Sequence, residues 1–473
     1  MGDMSLLVVG AGPAGIAAAL QARELGARVT LVEADQAGGT SLNRGPAPVR
    51  TLARAARLVR EGSSWPLFGL EGEPPTPNLG AVLANSARVA RYAHDKKDLA
   101  GHIRRHGIDL VEGLGTVAFT DPHTVRSRDG HTWHGDRVIL AVGGAPVRLP
   151  VPGAEIALTY GDIRSLTDLP GRAAVVGGAD TGCQIASILA DFGVAVELFE
   201  AGPSLIASAD SSISTDLRSA FERKGIKVHT QTSVEELRHQ GPEIGIRYKK
   251  AGADAATDVD AVFFAVGWRA NIDDLGLQAA GVTADRRAIP VDAYLRTNVD
   301  HIFAAGDVNG RSMLVQTARL EGRVAAQNAV EGATRQAEYD VVPSASFTDP
   351  EYGAVGLTEQ QAVANNDIVI GVARYEDLLR PVADGRPEGF CKLIVDRPTR
   401  VVLGAHVIGD YSAEIVQMVA ACMAARMPVE QIAELQLAYP TFTEAVTMAA
   451  QMVCRTIGVG QFPEAWSYLR SDD

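Results

Sequence analysis

Two segments of the chain share one pattern of apolar and polar positions. In each segment a short apolar run is followed by a glycine-rich turn, a helix-like stretch and a second apolar run that ends in an acid. In the first segment the apolar run is Leu6 to Val9, the helix-like stretch is Ile16 to Leu25, and the acid is Glu33. An apolar run, a glycine turn and a helix in this order predict a β-α-β unit.

The glycines of the first turn indicate what the unit binds. They permit a tight turn and let backbone N–H groups reach a pyrophosphate at the helix N-terminus, while the acid accepts hydrogen bonds from ribose hydroxyls. Glu33 lies eighteen residues after the last glycine of the turn, which is the spacing of a dinucleotide site. The predicted contacts are Gly10, Gly12, Pro13, Ala14, Gly15 and Glu33.

The second segment repeats the spacing. Its apolar run is Ala173 to Val176, a predicted helix covers Cys183 to Phe192, and Glu200 again lies eighteen residues after the last glycine. Ala179 replaces the middle glycine, so this copy is degenerate, and a structural repeat without a ligand is the alternative. The predicted contacts are Gly177, Gly178, Thr181, Gly182 and Glu200.

Two further apolar runs end in glycine and close the two regions. Residues 136–146 contain Ala141 and Gly143, and residues 260–269 contain Gly267. A buried strand that ends in glycine can bring its backbone close to a bound dinucleotide. Two such regions predict two dinucleotides and hydride transfer between them.

Glu200 also indicates which nicotinamide nucleotide is used. Its carboxylate suits a free 2′-hydroxyl and repels a 2′-phosphate, and residues 201–204 contain no arginine to hold that phosphate. We therefore expect NADH rather than NADPH.

Composition narrows the class of protein. A length of 473 residues predicts about three domains. The apolar fraction of 46% is typical of a soluble globular protein, and the net charge of -13 argues against a nucleic-acid or anionic-membrane partner. No apolar stretch approaches the roughly 20 residues that span a bilayer. The four cysteines are far apart, so no metal site is predicted, and we expect a cytoplasmic enzyme.

With its two β-α-β units, the chain resembles the flavoprotein disulfide reductases, which include dihydrolipoamide dehydrogenase, mercuric reductase and glutathione reductase. Residues 302–308 resemble the family's second FAD motif and are followed by Glu321-Gly322-Arg323. Residues 347–351 and 355–359 resemble the opening of its dimerisation domain. The resemblance covers nearly the whole chain.

The resemblance implies an α/β fold with two Rossmann-like dinucleotide-binding domains and a C-terminal α+β dimerisation domain. The FAD domain would take residues 1–150 and 270–340, the NAD(P)H domain 151–269, and the dimerisation domain 341–473. It also implies a homodimer whose active site is completed by the partner's C-terminal segment. The FAD contacts it adds are Gly39 and Thr40, Gly115 at the adenine, Asp307 at the ribityl or pyrophosphate region, and Met313 and Leu314 beside the isoalloxazine.

The chain departs from the family at the redox loop. Residues 38–48, GGTSLNRGPAP, align with the family pattern GGTCxNxGCxPSK. Ser41 and Pro46 stand where the two cysteines are expected, and Arg50 takes the place of a lysine near the flavin. Thiol–disulfide exchange requires a thiolate that attacks a disulfide. We therefore expect no disulfide reduction by this loop.

Two further departures concern acid–base and nicotinamide chemistry. Tyr439 replaces the family's catalytic histidine, while Glu444, which orients that histidine in the family, is retained. A tyrosine can donate a proton but is a poor base at neutral pH. Gln184 replaces a glutamate near the nicotinamide, and its amide can still bind the carboxamide. We expect Cys183 to be a buried small residue.

The resulting expectation is an FAD-dependent NADH oxidoreductase that reduces a small-molecule acceptor such as a quinone. In this hypothesis Arg50 stabilises negative charge on the reduced flavin, Ser41 hydrogen-bonds the acceptor or the flavin edge, and Tyr439 of the partner subunit donates a proton. We expect His94, His102 and His106 to be solvated.

The alternatives are a flavoprotein specific for one carbon metabolite, an FAD- and NADH-binding redox sensor, and a decayed or purely structural homologue. A disulfide reductase that uses Cys422 or Cys454 is a more remote fourth alternative.

Overall fold

The computed structural model describes residues 4–463, and its three largest sheets are five-stranded, two of them parallel and one antiparallel. The expected limits at residues 1 and 473 lie outside the described residues. The strands of the three sheets come from residues 5–140 together with 302–304, from residues 158–264, and from residues 344–408. The expected domain boundaries stay predictions.

The first sheet is five-stranded and parallel, in the order β18-β7-β1-β2-β3. Val9 pairs with Val32 on one side and with Leu140 on the other, so the strands end at one edge and the segments that follow them meet there. The strands and helices of this region are β1 Ser5–Val9, α1 Pro13–Glu24, β2 Arg28–Val32, α2 Gly39–Asn43, α3 Pro46–Glu61, α4 Leu79–Asp95, α5 Leu99–Arg105, β3 Asp109–Val111, β4 Val117–Asp121, β5 Thr124–Ser127, β6 Thr132–His134, β7 Arg137–Leu140, β8 Gly144–Pro146, β18 Ile302–Ala304 and α8 Val315–Glu331.

The second sheet repeats the first, in the order β12-β11-β10-β16-β9. Val176 pairs in parallel with Phe199 and with Phe264, which again gathers the glycine turn, the acid and the strand-ending glycine at one edge. Its elements are β9 Leu158–Thr159, β10 Arg172–Val176, α6 Asp180–Asp191, β11 Ala195–Phe199, α7 Ser211–Arg223, β12 Lys227–His229, β13 Thr232–Gln240, β14 Glu243–Lys250, β15 Ala253–Val259, β16 Ala261–Phe264 and β17 Trp268–Ala270.

The two dinucleotide regions are joined by a short antiparallel pair of strands. β8 pairs with β17, so Gly144 lies opposite Ala270 and Pro146 opposite Trp268. These strands follow Gly143 and Gly267, the glycines that end the two repeated apolar runs. The pair therefore holds the two predicted nucleotide edges next to each other.

The C-terminal region is a five-stranded antiparallel sheet covered by helices, in the order β19-β20-β23-β22-β21. Its apolar core includes α11 and α13, which are rich in alanine and valine. Its elements are β19 Ser344–Ser346, β20 Tyr352–Gly356, α9 Glu359–Val363, β21 Ile368–Arg374, α10 Leu379–Ala383, β22 Phe390–Asp396, β23 Val402–Ile408, α11 Ser412–Ala424, α12 Val429–Ala433 and α13 Glu444–Ile457.

Three helices begin earlier than the sequence predicts. α1 begins at Pro13 and α6 at Asp180, each three residues early, because the last residues of the glycine turns are already helical. α3 begins at Pro46, still inside the loop at residues 38–48. A proline at the first helical position costs no hydrogen bond, since that N–H has no partner within the helix in any case.

The three regions are tied together by buried ion pairs around Asp349, in the loop between β19 and β20. Arg60 on α3 lies 3.1 Å from this carboxylate, and Lys224, at the end of α7, and Arg386 pair with it as well. Lys224 also lies 3.0 Å from Asp191 at the end of α6. One carboxylate thus links a helix of the FAD region, the NAD region and the C-terminal region.

The surrounding cations keep Asp349 ionised. Burial opposes ionisation, but the three cations outweigh it and lower the pKa of Asp349 to about 2. A carboxyl group with a depressed pKa adds stability above its unfolded-state pKa, and this contribution is lost as the pH falls through the folded-state value.

We predict that Asp349→Asn lowers the free energy of unfolding by about 3 kcal/mol at pH 7, because it removes the charge that three partly buried cations share. Urea unfolding followed by circular dichroism measures the change, and the gap from wild type should narrow between pH 5 and pH 2. Asp273→Asn, which removes an exposed pair with Arg269, is the matched control. Equal midpoints for Asp349→Asn and the control would contradict the role assigned to the cluster.

Candidate functional site

The first glycine turn has the shape that a pyrophosphate requires. A Cβ on Gly10 would lie 2.4 Å from the Ala141 carbonyl oxygen, and a Cβ on Gly15 would lie 1.8 Å from the Gly10 oxygen. No residue larger than glycine fits at these two positions. Gly12 has only the Gly39 Cα within 4 Å, at 3.9 Å, so its face is open for a ligand to approach the backbone.

The acid of the first unit is fixed at the edge of the same turn. Glu33 accepts hydrogen bonds from the Ala11 N–H, at 2.6 Å, and the Asp35 N–H, at 3.0 Å. The Gly115 N–H donates to the Ala34 oxygen at 2.9 Å, which closes a second glycine loop over this edge. Glu33 and Gly115 thus come together where the resemblance places the adenosine.

Asp307 lies in a turn shaped by a buried carboxylate that sequence reasoning missed. Glu321 is fully buried, and it accepts from the Gly306 N–H at 2.6 Å and the Asn309 side-chain amide at 2.8 Å. The Tyr339 hydroxyl donates to its other oxygen at 2.7 Å. Burial raises the pKa of Glu321 and of Asp307. The sequence marks Glu321 only as part of the motif Glu321-Gly322-Arg323 and does not indicate that it is buried.

Helix α8 follows this turn and packs closely on α1. A Cβ on Gly322 would lie 2.1 Å from the Ala14 oxygen, so the two helices approach with backbone contact. Met313 and Leu314 precede α8, and Met313 is an exposed apolar side chain near the turn. The residues around the first turn therefore fit FAD, because they offer an open glycine face, an acid held at the turn and an exposed apolar side chain before α8.

The second glycine turn repeats the geometry of the first. A Cβ on Gly177 would lie 2.3 Å from the Ala265 oxygen, and one on Gly182 would lie 1.8 Å from the Gly177 oxygen. Glu200 accepts from the N–H groups of Gly178 and Gly202, both at 2.6 Å. The Glu200 carboxylate is therefore held in place as that of Glu33 is, and this glycine turn with its acid fits a pyridine dinucleotide.

The second turn carries an unexpected acid next to the degenerate position. Ala179 and Asp180 are exposed, and the buried Tyr352 hydroxyl of β20 donates a hydrogen bond to the Asp180 carboxylate. Burial raises the pKa of Tyr352 well above its usual value, which keeps it a neutral donor. The C-terminal region therefore fixes the position of a negative charge beside the predicted pyrophosphate site.

The remaining predicted residues of this turn each make one side-chain hydrogen bond within the described chain. The Thr181 hydroxyl accepts from the Trp268 indole at 3.5 Å, and the Gln184 amide lies 3.4 Å from the Asp180 carbonyl oxygen. Cys183 is fully buried and its thiol donates to the Gly178 oxygen at 3.3 Å, which confirms the expected small buried residue.

The loop at residues 38–48 lies directly on the first glycine turn. The Gly38 N–H donates to the Ala11 oxygen at 2.8 Å, and a Cβ on Gly39 would lie 2.7 Å from the Gly12 Cα. Ser41 is half-buried, and its hydroxyl donates to the Gly38 oxygen at 3.2 Å. The loop therefore contacts the turn through its backbone, and the expected contacts of Gly39 and Thr40 with the flavin stay predictions.

One of the three histidines expected to be solvated instead contacts this loop. His94, near the end of α4, is half-buried, and its Nε2 lies 2.8 Å from the Asn43 side-chain oxygen. Fifty-one residues separate the two, so no local pattern in the sequence indicates the bond. His102 and His106 are exposed, as expected.

Arg50 is engaged by the C-terminal region. Its guanidinium lies 3.0 Å from the Glu351 carboxylate and 4.1 Å from the centroid of the Phe347 ring. Burial raises the pKa of Glu351 in spite of the arginine. The expected contact of Arg50 with the flavin stays a prediction, and Glu351 and Phe347 are neighbours that sequence reasoning missed.

Arg50 also marks one end of a cavity of about 620 Å³ between α3, α6 and the loop that carries Asp349. Its walls include the ion pairs of the Asp349 cluster and the aromatic side chains of Trp65, Phe68 and Tyr411. The cavity is therefore bordered by charged groups that already pair with each other.

Tyr439 and Glu444 lie apart from the loop within one chain. Tyr439 is 70% exposed. One oxygen of Glu444 is buried without a hydrogen-bond partner in the described chain, and burial raises the pKa of this carboxyl. Neither residue hydrogen-bonds loop 38–48 within residues 4–463. Their expected place in a site completed by a second subunit stays a prediction.

Residues 4–463 contain no group of three or more histidine, cysteine or acidic side chains that could hold a metal ion. They also contain no helix that is long and apolar enough to cross a membrane.

Comparison with known proteins gives matches along most of the chain. Residues 4–322 match the family model described as pyridine nucleotide-disulphide oxidoreductase, and residues 342–450 match the dimerisation domain of that family. A dihydrolipoyl dehydrogenase of Chlamydia pneumoniae is 31% identical over 93% of this chain and 95% of its own. One from Mycobacterium bovis is 31% identical over 94% of this chain and 97% of its own.

Solved structures agree on the fold. The HOCl-induced flavoprotein disulfide reductase RclA from Escherichia coli superimposes with a TM-score of 0.84 at 24% identity, covering 95% of this chain and 100% of that one. The matched dimerisation domain supports a homodimer. Together with the two nucleotide edges, these matches establish that the chain belongs to the pyridine nucleotide-disulphide oxidoreductase family of flavoproteins, whose cofactors, FAD and NAD(H), are those that the sequence predicted.

Proposed function

We propose that this protein is an NADH-dependent flavoprotein that passes electrons to a small conjugated acceptor, such as a quinone, and reduces no disulfide through a thiol pair of its own. The observation that carries the proposal is the loop itself. It keeps its backbone contact with the first glycine turn, but Ser41 and Pro46 occupy the positions of the two cysteines. Neither side chain can form or exchange a disulfide.

The cysteines elsewhere in the chain support the proposal because none is suited to replace the missing pair. All four are buried and free. Burial raises the pKa of Cys391 to about 12 and that of Cys454 to about 11, and it raises the pKa of Cys183 and Cys422 as well. A thiol with a raised pKa forms little of the thiolate that exchange requires.

The chain's own groups would bind and orient the two nucleotides. Gly12 offers open backbone to the FAD pyrophosphate, and Glu33 is positioned for the adenosine ribose. Glu200, held by two backbone N–H groups, is positioned for the ribose of NADH. When bound, FAD would take two electrons from NADH and pass them to the acceptor.

The acceptor class follows from what the loop offers. Ser41 supplies a hydroxyl and Pro46 an apolar ring where the family has a disulfide, so an acceptor there would need electrons and protons but no thiol partner. A quinone meets that condition. Arg50 follows the end of the loop by two residues, and its guanidinium lies 4.1 Å from the centroid of the Phe347 ring. This cation could offset negative charge that develops on the reduced flavin.

We predict that the purified protein carries FAD and that one equivalent of NADH, added without oxygen, reduces it completely. A redox disulfide would consume a second equivalent and would release two thiols. Absorbance at the flavin band measures the stoichiometry, and a thiol reagent counts thiols before and after reduction. An end point at two equivalents would overturn the proposal, and so would bound FAD that NADH does not bleach.

We predict that Glu200→Gln reduces the preference for NADH over NADPH about tenfold. The substitution removes the charge that repels a 2′-phosphate and weakens the hydrogen bonds to the ribose, a combined effect of about 1.4 kcal/mol. Stopped-flow reduction of the flavin by each nucleotide gives the ratio. Glu155→Gln, an exposed acid of the same region, is the control. An unchanged ratio would show that Glu200 does not read the ribose.

A further inference from the structure

Reduction of a quinone-like acceptor needs a proton donor, and the aligned position of the family's histidine holds Tyr439. The chain contains ten histidines, all among the described residues. Within that part of the chain, His94 is the one that hydrogen-bonds loop 38–48. The following inference rests on the proposed function and names a residue that acts in it.

Asn43 is held in one orientation by its neighbours. Its side-chain nitrogen donates to the Gln36 backbone oxygen at 3.0 Å, and its backbone oxygen accepts from the Arg164 guanidinium at 2.8 Å, which holds the main chain at this residue. Only the nitrogen of the amide can donate, so the nitrogen must face Gln36 and the oxygen must face His94. The amide therefore presents an acceptor to the imidazole.

This orientation fixes the form of the imidazole. Nε2 of His94 must carry a hydrogen to donate to the Asn43 oxygen at 2.8 Å. Nδ1 is then the nitrogen that gains or loses a proton, and it makes no hydrogen bond within residues 4–463. An imidazole oriented at one nitrogen and free at the other is the arrangement by which asparagine or aspartate prepares a catalytic histidine.

The pair is placed beside the altered loop positions. Asn43 is the last residue of α2, two residues after Ser41, and α2 begins at Gly39, which packs on Gly12. His94 continues the face of α4 that carries Leu83, Ala87 and Ala90 at helical spacing. Those three residues line a cavity of about 420 Å³ whose other walls are Pro48 and polar or charged residues that include Asp162 and Arg164. His94 lies one helical turn beyond Ala90, outside the lining of this cavity, so the hydrogen bond to Asn43 is what places it beside the loop.

We propose that His94, oriented by Asn43, delivers the proton that the acceptor takes up when it is reduced. The hydride that NADH supplies through the flavin adds to the quinone, the Nδ1–H bond of protonated His94 breaks, and an O–H bond forms on the acceptor. The imidazole regains a proton from water. The balance is NADH, one proton and quinone giving NAD⁺ and hydroquinone.

The test separates the two half-reactions of the holoenzyme. His94→Gln can still donate to Asn43 but cannot transfer a proton. We expect reduction of the flavin by NADH to be unchanged and reoxidation by 1,4-naphthoquinone to slow about 100-fold. His94→Ala should show the same loss, and added imidazole should restore part of the rate. His102→Gln, an exposed histidine on α5, is the matched control.

A second measurement does not depend on activity. In protein labelled with ¹⁵N-histidine, the His94 signal, assigned by its absence in His94→Gln, should be that of the Nε2–H form, and Asn43→Ala should abolish this preference. An Nδ1–H form would contradict the geometry. Where the His94 variants fail to fold, the His94 signal is assigned instead as the histidine signal that Asn43→Ala changes, and the tautomer is still read in the wild-type protein.

Each outcome of the kinetic test is decisive. If wild-type flavin is reduced by NADH and reoxidised by the quinone, but His94→Gln does both at the wild-type rate, His94 has no role as donor and the proposed function stands. If Tyr439→Phe slows reoxidation and His94→Gln does not, Tyr439 is the donor. If no quinone reoxidises the wild-type protein, the proposed function is wrong, and the role of His94 that rests on it is wrong as well.

Discussion

The contact between Gly39 and Gly12 sets the geometry on which the rest of the site depends. Backbone meets backbone there, since a single Cβ on Gly39 would lie 2.7 Å from the Gly12 Cα, and no side chain can be inserted without moving the loop or the turn. The loop is therefore fixed against the predicted pyrophosphate site whatever its other side chains are. Ser41 and Pro46 could replace a thiol pair without loss of the loop's position, so its geometry is retained while its chemistry changes.

Helix α3 connects the loop to the other regions of the molecule. It begins in the loop at Pro46, carries Arg50, which pairs with Glu351, and carries near its end Arg60, which joins the buried cluster around Asp349. Each of these partners belongs to the C-terminal region, and Asp349 also pairs with Lys224 of the NAD region. The relative positions of the two nucleotide edges are thus held by the charges of the Asp349 cluster, which are costly to separate because they are largely buried.

The sequence predicted most of the architecture because the decisive signals are local. Strand, glycine turn and helix follow one another within thirty residues in both units, and the acids at Glu33 and Glu200 lie at the predicted edges. Helix starts were misplaced by three residues, since glycine turns and prolines conceal a first helical turn. The partners that position the site were missed for a different reason. His94 and Asn43 are 51 residues apart, and Tyr352 and Asp180 are 172 apart, so only the folded chain brings them together.

The proposed function requires that electrons leave this flavoprotein without passing through a thiol. This requirement is tested by the rate at which the NADH-reduced protein turns over 1,4-naphthoquinone after incubation with phenylarsine oxide, which binds paired thiols, and with iodoacetamide, which alkylates single ones. Because all four cysteines are buried and the loop has none, we expect an unchanged rate. Loss of turnover after treatment of the reduced protein, but not of the oxidised protein, would contradict it.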